Sequence, residues 1–262
     1  MDGTLLGASH TVERPNIEAL GRAARHGIEV VVATGRSHWS ALRLLPELPY
    51  VRWHLCSNGA TVYDGTSAAV VQSRQIEAAV LQVAIDAVVD AFPTVGFAYE
   101  TPEGIHYTPK FLENRVLANP DVIVKDTVPE PDSIEGQPVI KLMVSHPKLV
   151  QIEWLDALIP VMPDGLQLST SGSDFIEVSA PGADKGLALA DLCSSLGIDA
   201  ADVATFGDHT NDLGMLTWAG RGYVMANGVA RALAATDWRA PHHAEHGVAQ
   251  VVNQLLDDAG LD

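Results

Sequence analysis

Cationic side chains are scarce in this chain. Its 262 residues hold 16 Lys and Arg against 33 Asp and Glu, a formal charge of −17. A field of that sign repels nucleic acid and anionic bilayers, so neither is an expected partner. Cysteine is scarcer: Cys56 and Cys193 alone. They are too few for a disulfide framework and are not spaced as a metal pair, so they read as reduced, buried thiols of a cytoplasmic protein. Long apolar runs are absent as well. The longest candidate, Ala78 to Phe92, is cut by Asp86 and Asp90 and falls short of the roughly 18–20 residues of a membrane span. No basic stretch followed by an apolar run opens the sequence, so no secretory leader is expected. There is no internal repeat or low-complexity tract. Gly172-Ser173-Asp174 lacks the second Gly and the strand-to-helix setting of a nucleophile elbow.

What is present is a 47% apolar chain long enough to bury one large core or two modest ones. Apolar residues at helical spacing run from Ile17 to His26, with Pro15 near the start and Gly27 as a stop. Ile28 to Ala33 is a β-branched run of the kind found in parallel strands buried on both faces. Ser37 to Leu45 reads as a helix and Trp53 to Cys56 as a strand ending at Ser57-Asn58-Gly59. This is the βαβ rhythm of an open parallel sheet. The rhythm returns at Asp184: helices are predicted at Lys185–Leu196, Asp212–Ala219, Val229–Ala235 and Gly247–Asp258, with strands at Val203–Phe206 and Tyr223–Ala226.

Between these blocks the pattern differs. Helices are predicted at Ile76–Phe92 and Pro147–Ile159. Strands are predicted at Val95–Tyr99, Gly104–Tyr107, Val139–Ser145, Leu166–Ser171 and Phe175–Ser179, and the Pro-rich, acidic stretch 109–137 reads mostly as loop. The expected organisation is a discontinuous α/β core, residues 1–75 with 182–262, carrying an α+β insertion at 76–181. The core's fold class is a doubly wound, mostly parallel, Rossmann-like sheet.

Chemistry-bearing residues gather where strand patterns give way to helix patterns, the usual place for ligands in open α/β sheets. In Gly207-Asp208-His209-Thr210-Asn211-Asp212 a glycine turn would project Asp208, Asn211 and Asp212 from one turn. Such hard oxygen donors suit Mg²⁺, although an acidic helix N-terminus reads the same way. The hydroxyl of Thr34 in Thr34-Gly35-Arg36, with nearby backbone N–H groups, could hold an anion or cap a helix. Arg36 could contact substrate or cover a surface. Lys185, in Asp184-Lys185-Gly186, is by default an exposed lysine and alternatively a point charge for phosphate. His242, His243 and His246 read as a solvated loop before the last helix rather than as a zinc site.

Met1-Asp2-Gly3-Thr4, Thr34-Gly35-Arg36, Asp184-Lys185-Gly186 and Gly207-Asp208 through Asp212 stand in one order. Together they resemble the four motifs of the haloacid dehalogenase superfamily, in the Cof-type branch with a large cap domain. The long interval between Thr34 and Lys185 is where that branch inserts its cap. The resemblance implies a Mg²⁺-dependent phosphatase acting on a small phosphorylated metabolite. It gives catalytic parts to Asp2, Thr34, Lys185, Asp208, Asn211 and Asp212, and metal-binding parts to Asp2, Asp208 and Asp212. Substrate-side roles fall to Gly35, Arg36, Asn58 and Gly59. In an acidic chain a dianion is welcome only where a cation and local donors reverse the field.

The family's first motif is Asp-x-Asp-Gly-Thr. Its first Asp forms an aspartyl-phosphate and its second works as general acid and base. Asp2 matches the second. The resemblance therefore implies that the polypeptide reads on upstream through Asp-Met-Asp-Gly-Thr, and that a strand ending at that Asp lies mid-sheet. Alternatives are an impaired short form, a phosphometabolite-binding protein without turnover, and a phosphomutase. Nothing in the sequence sets the substrate or the oligomeric state.

Overall fold

The computed structural model describes residues 1–7, 11–43, 46–116, 136–149, 151–170 and 173–261. Helix α1 (Arg14–Arg25) starts where Pro15 presets the first turn. It stops at Gly27, whose φ of +77° lets the Gly27 and Ile28 N–H groups close back on Ala24 and Ala23. The chain then enters β1 (Val31–Ala33), which is shorter than its apolar run because Ile28 is exposed. Helix α2 (His38–Leu42) leads to β2 (Trp53–Cys56), parallel to β1. The last two residues of the helix expected at Ser37–Leu45 lie outside the described residues. A hairpin not read from the sequence follows. Strand β3 (Thr61–Asp64) runs antiparallel to β2, and β4 (Ala69–Ser73) completes a sheet of order β1-β2-β3-β4.

Two compact units emerge: Met1–Gln72 with Asp184–Asp262, and Ser73–Ala183. The second contains α3 (Ala78–Ala91), β5 (Gly96–Glu100), β6 (Ile105–Tyr107), α4 (Pro109–Val116), β7 (Lys141–Ser145), α5 (Gln151–Leu158), β8 (Gln167–Ser169) and β9 (Phe175–Ser179). Its strands form an antiparallel sheet of order β6-β5-β7-β9-β8. Strand alternation sends Phe97, Tyr99, Leu142, Val144, Ile176 and Val178 into one core with α3 and α5. The other face carries Ala98, Met143 and Phe175 against Phe111 of α4. Helix α4 corrects the expectation of loop from residue 109: Thr108 caps it through the Phe111 N–H, and Pro109 opens it. Residues 117–135 of that stretch lie outside the described residues. On the same face Lys141 is buried between Glu177 at 2.8 Å and Glu100 at 3.4 Å.

In the first unit the chain resumes with α6 (Lys185–Leu196), capped by the Asp184 carboxylate and closed by left-handed Gly197. It continues through β10 (Ala204–Gly207), α7 (Leu213–Trp218), β11 (Arg221–Met225), α8 (Ala230–Leu233), β12 (Arg239–Ala240) and α9 (Gly247–Asp258). Strands β10, β11 and β12 are parallel, in that order. Val32, Tyr223 and Met225 pack with α1 and α9. Leu55 and Val62 pack on the other side with Ala188, Leu189 and Leu192 of α6. Helices thus cover both faces, which is the doubly wound α/β architecture.

The parallel strands fall into two sheets. No described strand lies between β1 and β10, and no backbone hydrogen bond joins them. Instead a cleft of about 590 Å³ runs between these strands. Val30 to Ala33 line it on one side, Val203 to Phe206 on the other, and Leu189, Leu192, Val252 and Leu256 above and below.

Candidate active site

β1 ends at Ala33, directly before Thr34, and β10 ends at Gly207. Thr34 is buried, and its hydroxyl accepts the Arg36 N–H at 3.0 Å rather than capping α2. The Thr34 carbonyl accepts the Asn58 N–H at 3.0 Å. Ser57, Asn58 and Gly59 all have positive φ (51°, 58° and 88°), an uncommon backbone state that the surrounding structure must hold in place. A Cβ on Gly59 would strike the Asp184 carbonyl. The Asn58 side chain accepts from Asn211 Nδ2 at 3.0 Å, which ties the segment after β2 to the segment after β10.

Lys185 opens α6 and is 2% exposed. Its Nζ lies 2.7 Å from Asp212 Oδ1. The other oxygen, Oδ2, accepts the backbone N–H groups of Asp208 and His209 at 2.9 and 3.1 Å. Burial pushes the Asp212 carboxyl up, but the Lys185 charge and these hydrogen bonds outweigh it and hold the pKa at about 2. Asp208, half-buried, is pushed the other way. Burial and then the Asp212 charge raise its pKa, against the Thr4 hydroxyl and Lys185.

Two residues that the motif reading did not single out complete the cluster. Thr4 is buried and donates to Asp208 Oδ1 at 2.5 Å. Asn227, just after β11, donates to the Gly3 carbonyl at 2.7 Å and accepts the His243 N–H. Thr4 was present in the Asp-Gly-Thr motif. Asn227 had only its place after a strand to signal it. A Cβ on Gly3, at φ +67°, would collide with the Asp208 carboxylate. Arg36 grips Asp2 with two contacts, Nε to Oδ2 at 2.9 Å and Nη2 to Oδ1 at 2.5 Å, at the exposed edge of the group. The segments bearing Asp2, Thr34, Arg36, Asn58, Lys185, Asp208, Asn211 and Asp212 are therefore linked through hydrogen bonds or shared turns. Asp212 spends both oxygens on Lys185 and the backbone, so its bonding in this structure is that of a holder of the lysine rather than of an ion. The histidines of the 241–247 loop are separately engaged: His246 with Glu13 at 2.9 Å, His243 with the Leu6 carbonyl, and His242 with the Ala244 N–H. No cluster of three His, Cys, Asp or Glu side chains suited to an ion occurs among the described residues.

Residues 1–252 match the pattern of the haloacid dehalogenase-like hydrolases. The chain belongs to that family. The phosphatase YwpJ of Bacillus subtilis is 28% identical over 285 residues, covering 98% of both chains. The HMP-PP phosphatase of Cronobacter sakazakii is 27% identical, over 100% of this chain and 96% of its own length. In three dimensions the chain resembles the subclass IIB sugar phosphatase BT4131, with a TM-score of 0.83 at 22% identity, covering 100% of this chain and 97% of that one. The last likeness establishes the fold: a Rossmann-like α/β core with an inserted α+β domain. This haloacid dehalogenase-like protein is a hydrolase of the phosphatase type. No helix among its described residues is long and apolar enough to cross a membrane.

Proposed function

We propose that this hydrolase frees phosphate from a small phosphorylated metabolite, a sugar phosphate or similar monoester, through an aspartyl-phosphate. The observation that carries the reading is Lys185, a buried ammonium fixed by Asp212 at 2.7 Å beside the half-buried Asp208 carboxylate. A fixed cation in a water-poor cleft is what a phosphate dianion needs in an acidic protein. The sugar phosphatase and HMP-PP phosphatase among the similar proteins support the substrate class.

The residues also fit a hard divalent cation. Asp208 presents a carboxylate whose ionisation is disfavoured by burial and by Asp212, and a cation relieves both. Gly3 leaves room at that carboxylate where any Cβ would intrude. Asp208 and the Asp2 carbonyl would hold Mg²⁺, with Asn211 close by. When bound, such an ion neutralises charge on the phosphoryl oxygens.

Lys185 and the Thr34 segment, with the Gly35 backbone, bind the phosphate. Arg36, Asn58 and Gly59 shape the substrate side. Asp212 orients Lys185. The nucleophile is assigned to an Asp directly before Met1. Its carboxylate attacks phosphorus, the bond to the leaving oxygen breaks, and Asp2 protonates that oxygen. Asp2 then takes a proton from water, which attacks the aspartyl-phosphate and releases phosphate. The inserted unit, Ser73–Ala183, is read as the part that selects the substrate.

The test is hydrolysis of p-nitrophenyl phosphate and a sugar-phosphate panel, with and without Mg²⁺, by the chain as given and by the chain extended upstream. Mg²⁺-dependent phosphate release by the extended chain supports the reading. Its absence on every monoester, with the protein folded, rejects it.

A further inference from the structure

The loop between β12 and α9, whose three histidines read from the sequence as a solvated stretch, is bonded to the segment that carries Asp2. Asn227, just beyond β11, stands between the two. Its Nδ2 donates to the Gly3 carbonyl at 2.7 Å, and its Oδ1 accepts the His243 backbone N–H at 3.1 Å. One partner is an acceptor and the other a donor, so a single orientation of the amide satisfies both. His243 also reaches the segment directly: its Nδ1 lies 3.0 Å from the Leu6 carbonyl. A carbonyl only accepts, so Nδ1 carries the proton and the imidazole acts there as a donor. Asn16 of α1 repeats the pattern, donating to the Leu5 carbonyl at 3.0 Å while accepting the Ala249 N–H of α9 at 3.1 Å. The turn bearing Asn227 is tied in addition to Asp208, whose carbonyl accepts the Val229 N–H at 2.9 Å. The carbonyls of Gly3, Leu5 and Leu6 thus all accept side-chain donors from outside their own segment, and Thr4 among them donates to Asp208.

We propose that Asn227 and His243 are positioning residues for Asp2, fixing the Asp2–Leu6 segment by its carbonyls. Neither touches the reacting atoms, and the inference rests on the general acid role given to Asp2 above. A proton donor works only within hydrogen-bond reach of the leaving oxygen, and a displacement of about 1 Å costs on the order of a hundredfold in rate. Gly3, at φ +67°, gives this segment more backbone freedom than any other residue would, and the bond at its carbonyl removes that freedom. The Asp2 side chain is gripped by Arg36 at the exposed edge of the site, where water and salt weaken an ion pair. Its precision therefore comes from the backbone behind it. The consequence is specific to the ester. The alkoxide of a sugar phosphate is a poor leaving group and needs the proton, whereas p-nitrophenolate departs without one. Loosening Asp2 penalises the first far more than the second.

The experiment is steady-state kinetics, with Mg²⁺ present, on p-nitrophenyl phosphate and on the sugar phosphate that the protein hydrolyses fastest. The quantity read is kcat/KM, which compares free protein and ester with the transition state of leaving-group departure. In Asn227→Ala it should fall about 100-fold on the sugar phosphate, and about tenfold less than that on p-nitrophenyl phosphate. In an Asp2→Asn background the same substitution should cost about threefold or less on the sugar phosphate, because the group it positions is gone. His243→Asn, whose amide nitrogen takes the place of Nδ1, should keep most of the activity that His243→Ala loses. Equal losses on the two esters, or full additivity with Asp2→Asn, would make Asn227 a structural residue only and overturn the proposal. If Asn227→Ala does not fold, the isosteric Asn227→Asp, which keeps the acceptor and loses the donor, is judged by the same criteria. If the unsubstituted protein hydrolyses no monoester, the proposed function fails, and these contacts are judged by amide hydrogen exchange alone. The Thr4–Leu6 amides should then exchange about tenfold faster in the Asn227 variant, with those of β10 and β11 unchanged. Equal exchange at Thr4–Leu6 in the two proteins would overturn the proposal.

Discussion

Lys185 is a cation with almost no access to water, and everything around it is arranged to keep it so. Its partner Asp212 is equally buried, and that carboxylate is further fixed by two backbone N–H groups. Removing one member of such a pair leaves a bare charge, at a cost of about 3–5 kcal/mol. Lys185→Ala should therefore lower both stability and turnover, the latter by about 100-fold or more. Lys185→Met combined with Asp212→Asn separates the two effects, because the Asn amide oxygen still accepts the Asp208 and His209 N–H groups. Stability measured by urea unfolding should recover, while phosphate release stays at the level of the single variant. Recovery of turnover in the double variant would remove Lys185 from the chemistry. The same pair gives a pH signature. The Asp212 pKa is about 2 in the folded protein against 3.8 in the unfolded chain. The unfolded state therefore binds more protons between those values, and the pair's contribution, about 2 kcal/mol, is complete above pH ~4 and disappears as pH falls through about 2. Acid unfolding followed by circular dichroism should lose that contribution in Asp212→Asn. An unchanged acid transition would count against the assigned pair. Lys185 and Asp208 were legible from their motifs. The Asp208–Thr4 and Asn227–Gly3 bonds were not, because they join positions more than two hundred residues apart in sequence.

At the level of elements, what the sequence made readable was whatever punctuates itself. Pro15 and Gly27 bound α1, Asp184 and Gly197 bound α6, and the β-branched run of β1 needs a sheet. The failures have physical causes. β4 is largely exposed, so alternation gave no signal, and β3 is buried at every position, so it gave none either. Helix α4 is short and starts in an acidic, Pro-containing stretch, where Thr108 and Pro109 look like loop residues until the cap they make is seen. Composition also hides close approaches. Gly186 in the first turn of α6 faces Gly214 of α7, and an added Cβ there would collide with the Gly214 backbone. Gly186→Ala would normally favour a helix by about 1 kcal/mol. Here the collision dominates, and a net destabilisation of about 1–3 kcal/mol is expected, read as a lower denaturant midpoint with an unchanged slope. A raised midpoint would show that α6 and α7 can separate freely. Asp184→Ala, by contrast, should cost only about 1 kcal/mol as a lost cap.

Charge belongs to the molecule as a whole, and it was legible from composition before any element was placed. A formal −17 means that carboxylates repel one another across the surface, and compaction brings them closer together. Buried pairs such as Lys185 with Asp212 and Lys141 with Glu177 are little affected by ions in solution, because water and salt do not enter between them. The long-range repulsion is different: at 0.1 M salt the screening length is about 10 Å, shorter than most distances between surface carboxylates. Salt should therefore relieve the destabilising part of the field while sparing the stabilising part. We expect the thermal midpoint to rise by a few degrees between about 10 and 200 mM NaCl. The measurement must be made with EDTA present, since a divalent ion bound to the folded state would raise the midpoint by mass action regardless of screening. Adding Mg²⁺ at fixed ionic strength then reports the site alone. Its effect should vanish in Asp208→Asn, whereas the NaCl response should persist. A midpoint that stays flat or falls with NaCl would mean that surface ion pairs, and not net repulsion, govern this protein's electrostatic stability.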